Sequence, residues 1–359
     1  MVASVLVGTA LILPAVAAHP DDAPAAGWVF TETNAAAGNE VLRFARAKDG
    51  TLTAAGSWST GGLGTGNGLG SQGAVVLTAN GDHLVAVNAG SNSVSAFRLK
   101  GGSLALTDTV GSGGIRPISL AVHDHWVYVV NAGAGGNIAG FRLDGHGMLS
   151  LVAGSIRPLS AGATPAEIAF DPHGRVLVVT EKSTNTIDTY TVDGKGAASG
   201  PMSYPSAGMT PFGFAFDKRG HLLVSEVGPG AGGSSASSYA VDRDGSVAVI
   251  SAAVPNGQTA ACWLTVTPNA KYAYTANTPS NDISSYRVGK NGELTLVQAV
   301  AATGTAPGDM AVSHNGKFLY AVMSGAGSIT GFRVGHDGSL AWVTTVAGLP
   351  RGVVGLAAR

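Results

Sequence analysis

The chain has 359 residues, of which 45% are hydrophobic and only 12% charged, with a formal net charge of −1. That is enough chain for a sizeable core. The near-neutral balance excludes the basic footprint of a nucleic-acid binder, and no basic run points to an anionic membrane. Its 53 glycines follow no collagen-like period and sit in turns between short apolar runs, the composition of an all-β protein.

In chain order, residues 1–18 (MVASVLVGTALILPAVAA) form an apolar stretch too short for a comfortable membrane span and ending in small residues. It reads as a signal peptide, which predicts a secreted or periplasmic protein with no membrane segment in its mature form. Residues 19–27 form a Pro/Ala/Asp linker, and residues 28–359 form one domain. Cys262 is the sole cysteine, so an exported chain has no internal disulfide and relies on packing.

The domain opens on three predicted strands: Trp28–Glu32, Glu40–Ala45 and Thr51–Ser57. A four-run unit then repeats from anchors at Gln72, Pro117, Pro165, Pro211, Ala261 and Pro307. The unit at Pro165 reads PAEIAFDPHG, RVLVVTE, TIDTYTVD and a weaker run around Met202. Period-2 patterning with turn pairs such as Asn315-Gly316 and Asp337-Gly338 argues for antiparallel hairpins. Four-stranded meanders at a period near 45 residues are the signature of propeller blades. The chain ends on a single strand-like run after Pro350. Three strands at one end and one at the other complete a seventh blade, which predicts an all-β, seven-bladed β-propeller with one-plus-three closure. Lettering the strands a to d from the channel outward, the d-to-a and b-to-c connections share one face, termed upper here.

This sorting places His83, His123, His125, His173, His221 and His314 at a-to-b turns and His146 and His336 at c-to-d turns, all on the lower face. A His triad or His-ligated metal is therefore not expected on the upper face. At the ends of the b strands one equivalent position reads Glu32, Asn88, Asn131, Glu181, Glu226, Asn277 and Met323. Asn131, Glu181, Glu226 and Asn277 are candidate substrate-binding residues, with turn capping as the alternative role. At the starts of the a strands lie Arg116, Glu167, Cys262, Trp263, Asp309 and Arg351. Glu167 and Asp309 share one repeat position, where desolvation would raise their pKa into the range of general acid/base chemistry. Arg116 and Arg351 are candidates to neutralise a substrate carboxylate or an oxyanion, or to pair with those acids. Cys262 reads as a small buried side chain rather than a nucleophile. Trp263 reads as an apolar wall for a ring-shaped ligand or as core.

The runs TPAEIAFDPHG (164–174), KYAYTAN (271–277), NDISSYRV (281–288) and GKFLY (316–320) resemble the lactonase family of seven-bladed propellers, which includes bacterial 6-phosphogluconolactonases and fungal carboxymuconate cyclases. The resemblance covers the chain after residue 27 and is specific for the fold more than for the reaction. It implies an upper-face site of His, Glu and Arg at the blade entrances, acting on lactones. Where that family often carries His two residues after the entrance Pro, this chain has Ser119, Glu167, Gly213, Asp309 and Gly352, with Trp263 in the unit at Ala261. With no cluster of basic residues on the upper face, a phosphosugar is a poor expected substrate. The leading expectation is a monomeric, cofactor-free enzyme of lactonase or cyclase type acting on a small lactone or carboxylate-bearing molecule. A calcium-dependent lactonase using Glu32, Glu181, Glu226, Asp309 and the Asn ring, and a non-catalytic binding or surface propeller, are the alternatives.

Overall fold

The computed structural model describes residues 25–359; the apolar leader expected from residues 1–18 lies outside them. Every regular element among the described residues is a β-strand, and none is a helix long and apolar enough to cross a membrane. The strands form seven antiparallel meanders arranged in a ring. Blade 1 contains Val354–Ala358 as its a strand, then Gly27–Glu32, Glu40–Arg46 and Leu52–Ser59. The one-plus-three closure expected from the two chain ends is thus present, with Val29 opposite Ala358 and Glu32 opposite Val354.

Blades 4 to 7 are regular, with a strands Pro165–Phe170, Pro211–Phe216, Ala261–Val266 and Pro307–Val312. Blade 3 begins at Pro117–His123, and its outer strand is interrupted, pairing as Leu149–Leu151 and again as Arg157–Pro158. Blade 2 has the shortest a strand, Val75–Leu77, preceded by a long glycine-rich connection, residues 60–74.

The b strands are buried almost end to end, as in His83–Asn88, Val176–Glu181 and Phe318–Met323. A blade has two apolar faces and can cover both only against its neighbours, so the core is divided into inter-blade layers. One contact repeats between blades. The b-strand hydroxyls of Tyr128, Tyr274 and Tyr320 donate to the carbonyls of Gly196, Gly338 and Gly50 at 2.6, 3.1 and 2.8 Å, each glycine lying in the c-to-d turn of the next blade. Gly50 must be glycine twice over: its φ is +97°, and a Cβ there would lie 2.3 Å from the Phe318 ring. The KYAYTAN and GKFLY runs are therefore packing signals that carry a specific hydrogen bond from blade to blade.

The histidines lie toward the lower face, as their turn positions require. His83 is buried at the start of its strand, and His221 Nδ1 lies 3.0 Å from the buried Asp217 carboxylate.

Candidate functional site: a plugged central channel

The repeat position held by Glu167 is a relay between blades. Ser119 Oγ accepts the backbone N–H of Ile168 in blade 4 (3.1 Å), and Glu167 Oε2 accepts that of Phe214 in blade 5 (2.6 Å). Asp309 Oδ2 accepts the N–H of Gly355 in blade 1 (3.1 Å). Blade 5 has Gly213 at this position and no side chain with which to serve blade 6. Gln72 fills the gap from across the channel. Its Oε1 accepts the N–H of Leu264 (2.9 Å), and its Nε2 donates to the carbonyls of Leu264 (2.8 Å) and Phe214 (3.2 Å) and to Glu167 Oε1 (3.3 Å). A Cβ on Gly213 would meet Gln72 Oε1 at 2.3 Å, so the glycine is the vacancy that admits the glutamine.

Gln72 belongs to the connection 60–74, which folds over the upper end of the channel and touches all six other blades. Asn34 of blade 1 bonds Thr65 and Asn67 of the connection. Ser71 Oγ donates to the Ile118 carbonyl (2.8 Å), and the Gln72 N–H reaches Ala166 O (3.0 Å). Lys182 Nζ donates to Gly70 O (2.6 Å), and Trp263 Nε1 donates to Ser71 O (3.0 Å). The Gly73 N–H reaches Asp309 Oδ1 at 3.4 Å. In the sequence Gln72 marks only the start of a blade, and this role is not legible from its neighbours. The one available signal was Gln72 in place of the recurrent entrance proline.

Beneath the plug lies a cavity of about 260 Å³, with Gln72, Gly73, Glu167 and Asp309 at its upper end and apolar side chains such as Val76, Leu77 and Met310 along its wall. The a strands are buried at their upper ends and partly exposed at their lower ends in blades 2, 3, 5, 7 and 1. The channel is therefore open toward the lower face.

Both acids are desolvated. Burial pushes Asp309 up to about 7 against the pull of its bonds to the Gly355 and Gly73 amides. Burial likewise raises Glu167 well above the usual carboxylate range, opposed by the Phe214 amide and reinforced by the Asp309 charge. Two such groups on one small cavity can divide the roles of proton donor and acceptor near neutral pH.

The other residues expected at the site lie elsewhere. Arg116 and Arg351 are exposed on the upper face, do not line the cavity, and form no ion pair with either acid. At the entrance of blade 1, Gly352 falls in the turn before the a strand. The strand pairing puts Leu356 where Glu167 stands in blade 4, because Phe30 faces Ala357 as Val179 faces Ile168. Trp263 packs against Phe212, with ring centroids 5.4 Å apart, and closes over the plug. Cys262 is part-buried, its thiol pushed up to about 11 by burial.

The b-strand ring is buried and bonded to its own blades and to the connections that arrive from the preceding blades. Asn131 Nδ2 donates to Ser112 O, and Glu181 accepts from the Ser160 amide and the Thr184 hydroxyl. Glu226 accepts from the Gly208 amide and from the Ser235 hydroxyl. Asn277 donates to Asp282 and Ser284 and accepts from Asn256. Glu32, next to Asn39, keeps Oε1 unpartnered and is held well above the usual carboxylate range by burial. Among the described residues no three His, Cys, Asp or Glu side chains converge as a metal-ligand set.

A model of the lactonase family, described as a seven-bladed β-propeller, matches residues 28–157 and 236–354. A search of the curated proteins found no match. Among solved structures, a candidate 6-phosphogluconolactonase from Bacteroides fragilis is 19% identical, with a TM-score of 0.75 over 93% of this chain and 98% of that one. A protein from Lactobacillus plantarum is 18% identical, with a TM-score of 0.77 over 93% and 99% of the two chains. A periplasmic gluconolactonase from Pseudomonas aeruginosa is 16% identical, with a TM-score of 0.71 over 91% and 98%. At these identities the solved structures speak for the fold, and the family match over both ends of the ring makes the assignment: this chain belongs to the lactonase family of seven-bladed β-propellers.

Proposed function

We propose that the chain is a metal-independent lactone hydrolase whose chemistry takes place in the central channel, with Glu167 and Asp309 as its acid/base pair. The observation that carries this reading is the pair of buried carboxyls, both raised by desolvation, on one 260 Å³ cavity. The ionised member takes a proton from water as the water oxygen attacks the lactone carbonyl carbon. The protonated member gives its proton to the ring oxygen as the acyl C–O bond breaks, leaving a hydroxy acid. The Gly73 N–H, only loosely engaged by Asp309 at 3.4 Å, is placed to donate to the developing oxyanion. The buried side chains of Asn131, Glu181, Glu226 and Asn277 keep the blades in register in this reading, and Trp263 anchors the plug.

The leader-like residues 1–18 and the periplasmic gluconolactonase among the structural relatives support export, and with it an extracellular or periplasmic lactone as substrate. The test is turnover of a panel of lactones, with and without chelator. Glu167→Gln removes the exchangeable carboxyl while keeping its shape, and should lower kcat by at least about 100-fold with an unchanged far-UV spectrum. Retained turnover by this variant removes Glu167 from the reaction, and loss of turnover on chelation restores the calcium reading.

A further inference from the structure

Resting on that acid/base reading, we infer that the substrate is a small, uncharged monocyclic lactone that enters from the lower face, the face of the a-to-b turns, and not from the upper face that carries the arginines. Three observations lead here. The upper end of the channel is closed by residues 60–74, which are bonded into all six other blades, with Gln72 spanning the channel to blades 4, 5 and 6. In blades 1, 2, 3, 5 and 7 the a strands become partly exposed only toward their lower ends, and the cavity runs from Glu167 and Asp309 down to Leu77 and Ala358, where two of those strands finish. The cavity wall carries two carboxyls and no Lys, Arg or His. Arg359, at the lower end of the closing strand, is tied to the Gly81 carbonyl at 2.9 Å.

An anionic group carried into this cavity would lose its hydration beside a carboxylate with no cation to compensate it. A phosphate or carboxylate on the substrate is thereby selected against, whereas a neutral ring loses little. The volume, about 260 Å³, falls below the roughly 300–1,000 Å³ of pockets that take drug-sized ligands. That suits a single ring with short substituents. The inference separates this chain chemically from enzymes of phosphorylated lactones.

The experiment reads access and charge without depending on turnover. The full chain is treated with a small uncharged carbodiimide, which adds to protonated buried carboxyls, and modification of Glu167 and Asp309 is followed by peptide mass spectrometry. Labelling of either acid is expected, slowed at least 10-fold by Leu77→Trp, which narrows the lower end. Ala358→Leu serves as a second obstruction should the first variant fold poorly. An uncharged aldonolactone at millimolar concentration should protect the acids, and its phosphorylated counterpart should not. No labelling, labelling indifferent to both lower-end variants, or equal protection by the phosphorylated lactone overturns the inference. Turnover of the same two lactones gives the companion measurement, with kcat/KM expected to favour the uncharged one at least 100-fold. Access and protection without turnover of any lactone would sink the hydrolase reading while leaving lower-face entry and the selection for an uncharged ring standing. Glu167-dependent turnover that prefers the phosphorylated lactone would do the reverse.

Discussion

Replacing Asp309 by Asn should flatten the pH dependence of stability. In the folded chain Asp309 titrates at about 7, against about 3.9 for an unfolded aspartate. Between those values the folded state holds a proton that the unfolded chain has released. Its contribution to stability is fully present below about pH 4 and is lost as pH rises through about 7. At 1.36 kcal/mol per pH unit, tapering as the group reaches half-ionisation, raising the pH from 5 to 7 removes about 2.3 kcal/mol from the wild type through this one group. For a chain of this size the unfolding entropy is about 0.7 kcal/mol per degree, so the melting temperature falls by roughly 3 °C. Asp309→Asn removes that share of the fall. It also relieves Glu167 and Glu32, whose carboxyls the Asp309 charge pushes up, so the flattening should exceed the single-group value. The variant starts less stable in acid, because Asp309 accepts from the Gly355 amide with Oδ2 and from the Gly73 amide with Oδ1, whereas asparagine has one acceptor oxygen and an amide nitrogen that only donates. Calorimetric melting of both proteins from pH 4.5 to 8.5 in one ionic strength gives the two curves. Parallel curves would show that Asp309 titrates normally, and the acid/base assignment would fall with it.

Gly213→Ala should destabilise by about 2–4 kcal/mol, because the new methyl meets Gln72 Oε1 at 2.3 Å and the Cys262 carbonyl at 2.8 Å; denaturant unfolding measures it, and a neutral result would mean that Gln72 does not occupy the gap. Gln72→Ala should cost a similar amount, about 2–3 kcal/mol, since it strands the buried amide of Leu264, and hydrogen exchange should rise across residues 60–74. Deleting residues 350–359 removes the strand that pairs with Gly27–Glu32 and should abolish the cooperative melt; an unchanged transition would contradict the closure. Tyr320→Phe should cost about 1 kcal/mol, as it breaks the bond to the Gly50 carbonyl, without altering turnover of whichever lactone is used.

Much of the fold was legible in single residues read with their period. The anchors from Pro117 to Pro307, the b strands ending at Glu181, Asn277 or Met323, and the unpaired run at the C-terminus each carry local information. Strand alternation and turn chemistry act over fewer than ten residues, so they survive in one dimension. The shared position of Glu167 and Asp309 was legible for the same reason, and so was the upward direction of their pKa, since an a-strand position that faces the apolar inner wall of the ring is desolvated. The arginines were not. Arg116 and Arg351 flank their a strands by one or a few residues in the sequence, yet those steps carry them out of the channel and onto the exposed upper face.

By itself the sequence determined seven blades, their closure by one strand and three, and the face on which each turn lies, because these follow from hydrophobic periodicity and from the number of strands left over at each end. Only the tertiary structure decided which end of the channel is open. Residues 60–74 are glycine-rich and polar, and they read the same whether they stand in solvent or lie across the ring. What holds them there is a glutamine meeting the absence of a side chain at Gly213, more than a hundred residues away. A contact between one side chain and one vacancy has no period, and it exists only once the ring has closed around it.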